Sequence, residues 1–190
     1  MGTRHLTCVI NNGTHKIAQY GQWDGYPSGA GLSILNFLSE EKNIENLRIN
    51  SSKCSFVSDK EYQKIKESFE DRGVLYDEFF KEYPQFSRDT GDDILSIVAS
   101  SDGDIKLVDS YDFAADSLFC EWAYVIDLDN DMFEVYEGFN KQPLNKEERF
   151  YNIQNLKDAT LIYYPVKLVA EFSFKNLPDK DEFLKKCGDV

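Results

Sequence analysis

Residues 5–10, HLTCVI, form a β-branched and apolar run, and a second strand-like run, HKIAQYGQ, occupies 15–22. Asn11-Asn12-Gly13-Thr14 lies between them. Two such runs around an Asn-Gly pair predict a β-hairpin, because primed two-residue turns need positive φ at their central positions. WDGYPSGAG (23–31) follows, and then LSILNFLSEE, in which Leu32, Leu35 and Leu38 recur at helical spacing, as do Ile34 and Leu38. The first 40 residues therefore read strand, turn, strand, glycine-rich loop, helix.

Residues 43–57 lack a clear period, and a short strand is expected around Lys53–Val57. Ser58 with Glu61 fits a capping box ahead of a helix whose apolar face carries Tyr62, Ile65 and Phe69. Arg72-Gly73 reads as its stop, and a further helical piece runs from Val74 to Tyr83, ended by Pro84. Thr90-Gly91-Asp92-Asp93 opens another helix with Ile94, Ile97 and Val98 on one face, and 105–108 suits a short strand.

The strongest β pattern is FCEWAYVIDL (119–128) and MFEVYEGF (132–139) around the acidic turn Asp129-Asn130-Asp131. Trp122, Tyr124 and Ile126 alternate with Glu121, Ala123, Val125 and Asp127, which predicts a hairpin with one buried face and with Glu121 and Asp127 more exposed. A last strand is expected within 160–174, interrupted by Pro165. Pro178 at a first helical position, acidic residues after it, and Lys185, Lys186 and Gly188 mark a C-terminal helix. Without repeats or linkers, residues 1–190 read as one α+β domain with a mostly antiparallel sheet, a pattern that a layered α/β/β/α arrangement would also satisfy.

Composition narrows the function classes. Twenty-one basic against 34 acidic residues leave a net charge of −13. Phosphate-backbone binding needs clustered Lys and Arg, so this balance argues against direct nucleic-acid binding and against anionic membranes. It leaves basic surfaces as partners, nucleic-acid mimicry included. No apolar run reaches the roughly 18 residues of a membrane span, and no secretory signal opens the chain. Cys8, Cys54, Cys120 and Cys187 are scattered, and with only His5 and His15 beside them no metal site is expected. Reduced thiols in a cytoplasm are the expectation, with no cofactor.

The 23–31 loop carries the most chemistry. Asp24-Gly25-Tyr26-Pro27 predicts a tight turn, Ser28 sits where a helix N-cap belongs, and Gly29, Ala30 and Gly31 strip the first helical turn of side chains. Bare N–H groups at a helix start attract anions. The loop reads as a cradle in which Ser28, Gly29 and Gly31 hold the ligand, Trp23 and Tyr26 stack on it and Asp24 accepts a hydrogen bond. It reads equally as a turn built for its own geometry. Neither a Walker A nor a dinucleotide-binding spacing is present. Residues 1–30 carry only Arg4, Lys16 and Asp24, nearly neutral in an acidic chain. Counting back through the hairpin brings Arg4 toward the Asp24 end, so the two are expected to approach each other or share a ligand.

The opening Met1-Gly2-Thr3-Arg4 with Leu6, and Gln22 through Gly29 with Gly31, resemble a group of small uncharacterised proteins of bacteriophages, prophages, bacteria and some fungi. Residues 118–138 are similar more loosely, and the likeness covers about a third of the chain. It implies an accessory or counter-defence role. The Thr3-Arg4 strand also resembles N-terminal-nucleophile hydrolases, whose nucleophile is a free terminal Thr, Ser or Cys. Removal of Met1 exposes Gly2, so Thr3, Arg4 and Asp24 stand only as weak catalytic candidates. Asp127, Asp129 and Asp131 mimic a calcium loop, but Met132 and Gly138 fill positions that need Gly and Glu.

The reading favoured by the sequence is a non-catalytic cytoplasmic protein that binds a small anionic, nucleotide-like ligand or a protein partner through Arg4 and the 23–31 loop. The alternatives are a hydrolase of N-terminal-nucleophile architecture and an acidic decoy of a nucleic-acid-binding enzyme.

Overall fold

A computed structural model describes residues 2–73, 76–156 and 162–189. The chain folds as α+β. A five-stranded sheet has the order β2-β1-β5-β6-β7, built from β1 (His5–Asn11), β2 (Thr14–Gly21), β5 (Trp122–Asp127), β6 (Met132–Glu137) and β7 (Lys167–Ser173). β3 (Ser55–Phe56) and β4 (Lys106–Leu107) form a separate two-stranded ladder. Among the described residues there is thus one large sheet, and the doubled sheet of an α/β/β/α sandwich is not formed. Every pairing in the large sheet is antiparallel except β1 with β5, where the two hairpins join side by side.

The first hairpin closes as its Asn-Gly pair requires, with φ +56° at Asn12 and +73° at Gly13. Pairing starts at Asn11↔Thr14, and a bulge between Val9 and Ile10 then moves the register to Val9↔Ile17 and His5↔Gly21. Because β1 and β5 run parallel, the turns of both hairpins lie at one end. There the Asp129 carboxylate accepts from the Asn12 and Gly13 N–H groups at 2.8 and 2.7 Å. The other two carboxylates of the calcium-like run also serve protein donors: Asp131 takes Arg48 and Asp127 takes Arg149.

The helices α1 (Leu32–Leu38), α2 (Glu41–Ser51), α5 (Ile94–Ala99) and α6 (Lys180–Cys187) supply side chains to one sheet face, with Val9, Tyr124, Ile126, Phe133 and Phe172 in that core. The opposite face, with Leu6, Cys8, Ala123, Val125 and Tyr136, is closed by 3-10 turns at 111–115 and 151–156. Both faces of β5 are therefore buried, and the expectation of one solvated face fails. Asp127 is 2% exposed, neutralised by Arg149 at 2.6 Å, and Glu121 is partly covered beside Arg4. A third cluster, Phe69, Phe79 and Phe86, ties α3 (Asp59–Glu70) to α4 (Tyr76–Glu82). The Ser58–Glu61 capping box is formed in both directions, and Gly73 follows α3 at φ +68°. Met1, Val74 and residues 160–161 of the expected last strand lie outside the described residues. α6 starts two residues later than expected, at Lys180: Asp179 is its cap, accepting from Glu182 N–H at 2.9 Å, and Pro178 precedes the cap. α2 is the helix that the unpatterned 43–57 region concealed. Among the described residues no helix is long and apolar enough to cross a membrane.

Candidate functional site

The connection from β2 to α1 is held from both sides. Gly25 N–H donates to Thr3 O (3.0 Å), Ala30 N–H to Asp24 O (2.8 Å), and Gly29 and Gly31 N–H to Tyr26 O. From the sheet, the buried Tyr124 hydroxyl donates to Gly25 O at 2.8 Å. A Cβ on Gly29 would stand 2.3 Å from Asp24 O, and one on Gly25 would stand 2.8 Å from Thr3 O. These glycines are demanded by close backbone approach, and none of Gly25, Gly29 and Gly31 has positive φ. The left-handed residue of the turn is Asp24, at φ +51°, which Asp tolerates better than most residues do.

The structure corrects the role of Ser28. Residues Pro27–Gly31 make a π-helical turn that runs into α1, with Tyr26 before it and Pro27 at its first position. Ser28 is inside the turn and caps nothing. Its N–H donates to the Asp189 carboxylate at 2.8 Å. The chain's own anion thus sits where an anionic ligand was expected, and the N–H groups of Gly25, Ser28, Gly29, Ala30 and Gly31 all have acceptors within the protein.

What the loop presents outward is aromatic and acidic. Trp23 is 48% and Tyr26 52% exposed. Trp23 Nε1–H donates to Asp89 at 2.7 Å, which fixes the indole orientation. Asp24 is exposed beside them. Burial raises the pKa of Asp92, a hydrogen bond from Ser33 opposes the rise, and the charge of Asp24 adds to it. Burial and then the charge of Asp92 also raise Asp93. The charge of Asp24 thus acts on Asp92 and that of Asp92 on Asp93, and neighbouring carboxylates of this kind form a region of negative potential. Arg88, 3.9 Å from Asp89, is a cation on its border.

Beneath this mouth lies His5, whose role the sequence did not disclose. It is 1% exposed, and its ring packs against Gly21, Gly25 and Gly91 and edge-on to Tyr124, with centroids 6.2 Å apart. Asp92 Oδ1 is 3.9 Å from Nε2, and neither ring nitrogen has a hydrogen-bond partner among the described residues. Burial pushes its pKa down to about 4 against the pull of Asp24, so the ring is neutral at pH 7. The available signal was the set of glycines spaced around it in space, which no sequence window contains.

Arg4 and Asp24 part company. Arg4 faces Glu121 (3.6 Å) and stacks over Phe119 (4.7 Å to the ring centroid), whereas Asp24 acts on His5 and Asp92. Successive residues of an extended chain face opposite sides, so Arg4 belongs to the face that His5 leaves. Thr3, 6% exposed, lends its carbonyl to Gly25. Of the three weak catalytic candidates, Thr3 thus meets the loop next to Asp24 through its backbone carbonyl, while the Arg4 side chain is engaged by Glu121 and Phe119.

The chain matches no protein-family model, and neither a curated protein nor a solved structure is similar to it.

Proposed function

We propose that this protein is a binding protein whose recognition surface is the outer face of the 23–31 turn, and that it takes a cationic segment of a partner. The observation behind this reading is the pair of half-exposed aromatics, Trp23 and Tyr26, on a turn made rigid by internal hydrogen bonds and set among Asp24, Asp89 and Asp92. Rigid aromatics lose little entropy on binding, and a Lys or Arg side chain gains from both the π face and the carboxylates. The internal use of the loop N–H groups removes the basis for an anion there, so the ligand expected from the sequence changes sign. Gly25, Gly29 and Gly31 serve by position only. A net charge of −13 supports attraction of a basic partner at a distance. A cytoplasmic setting belongs to the proposal, supported by four free thiols, as does an accessory role in a host cell, supported by the phage-type motifs.

Titration with a Lys/Arg-rich peptide while tryptophan emission is followed tests it. Trp122 is buried, so a surface event reports through Trp23. Saturable quenching that weakens with salt, and that Asp24→Asn and Trp23→Phe each reduce, is expected. Binding unaffected by both substitutions would overturn the proposal.

A further inference from the structure

β2 is an outer strand, and two segments cross its free edge. Ser110 N–H donates to Ala18 O, and Gln22 N–H donates to Arg88 O, each at 3.0 Å. The Ala18 carbonyl and the Gln22 N–H thus point away from β1. Backbone polar groups alternate in direction along a strand, so those of Tyr20, midway between, point the same way. Its carbonyl accepts from Gln19 Nε2 at 3.2 Å, and its N–H faces the gap between the crossings. Four residues of strand make that gap about 13 Å long.

A cavity of about 440 Å³ occupies it, within the roughly 300–1,000 Å³ of small-molecule pockets. Tyr62 and Phe86, edge to face with centroids 5.2 Å apart, line it with Val57 and Val108. Arg88 stands where Gln22 is crossed, and Asp59, the first residue of α3, is the acidic side chain of the lining. Arg88 is 67% exposed and its guanidinium contacts Asp89 only at 3.9 Å, which leaves its paired N–H groups for a planar anion.

We propose that this cavity is a second binding site, separate from the loop face, for a flat aromatic carboxylate. The ring lies between Tyr62, Phe86 and the two valines, and the carboxylate takes Arg88 and the Tyr20 N–H. The lining of aromatic and branched side chains selects a planar body. The edge donor, midway along the gap, and the guanidinium at its Gln22 end select the acid.

Indole-3-carboxylate and its uncharged carboxamide, titrated separately into ¹⁵N-labelled protein, test this. The acid should shift the Tyr20, Ser87 and Ser110 amides saturably, with Kd near or below about 1 mM. Arg88→Gln should weaken the acid by about tenfold, the loss of a charge-assisted pair, and leave the carboxamide unchanged. Val108→Trp, at a partly exposed wall position, should block both while distant amides stay in place. Shifts that do not saturate, shifts centred elsewhere, equal affinity for acid and carboxamide, or an Arg88→Gln protein that binds the acid as before would each overturn the proposal.

Discussion

His5 Nε2 lies 3.9 Å from Asp92 Oδ1, and among the described residues the ring forms no hydrogen bond through either nitrogen. Such a buried ring is stable only while it is neutral, and pH sensitivity follows. The folded pKa is about 4 and the ordinary value 6.5, so the unfolded chain takes up this proton first as pH falls. Stability should drop between pH 6.5 and about 4 and level off below, by about 3 kcal/mol for a shift of this size. Among the groups facing the ring, Asp24 favours the charged form, and Asp92, with its own pKa raised, works in the opposite direction on stability as it protonates. Urea midpoints across pH 4–7 check this: His5→Asn should show a shallower loss than wild type, and identical slopes would refute the assignment.

The loop glycines should not tolerate a methyl group. Gly29→Ala drives a Cβ to 2.3 Å from Asp24 O, a backbone atom that cannot swing aside. Overpacking of this kind costs about 1–3 kcal/mol. Gly13→Ala, in open space at φ +73°, should cost only about 1 kcal/mol. Thermal denaturation of the pair ranks them, and equal losses would mean that the loop yields.

Asp127 and Arg149 form a covered pair, with Glu134 as the second carboxylate on the same guanidinium. Burial raises the pKa of Asp127, but hydrogen bonds from Asn130 and Arg149 outweigh it and hold the carboxyl below its usual range. Its contribution is therefore present above the ordinary carboxylate pKa and lost as pH falls below it. Asp127→Ala should destabilise by about 3 kcal/mol at pH 7, since it removes one partner of a buried pair. A loss below about 1 kcal/mol in denaturant titration would show that Glu134 suffices.

Trp122 is 8% exposed in the helix-side core. Trp122→Ala should cost about 3–5 kcal/mol, whereas Trp23→Phe, half exposed, should leave the melting temperature nearly unchanged. Calorimetry on both variants separates the two tryptophans into packing and recognition roles.

Short-range chemistry made much of the fold readable from the chain itself. The Asn12-Gly13 turn, the Ser58–Glu61 capping box, the stop at Gly73 and the hairpin at 119–139 depend on neighbours within a few residues, and a sequence displays these directly. α2 was not readable, because its exposed faces carry polar residues without a clear period. The site was legible in part. The 23–31 loop shows its glycines and aromatics, but whether its N–H groups are free depends on acceptors elsewhere, and Asp189, 161 positions away, supplies one of them. Burial of Asp127 likewise required the second sheet face to be covered by residues 111–115 and 151–156. His5 became a site residue only when Gly21, Gly25, Gly91 and Asp92 closed around it. A sequence records each residue's donors, charges and shape. Which groups satisfy one another, and which remain outward for a partner, is decided by contacts between distant segments, and those exist only in the folded chain.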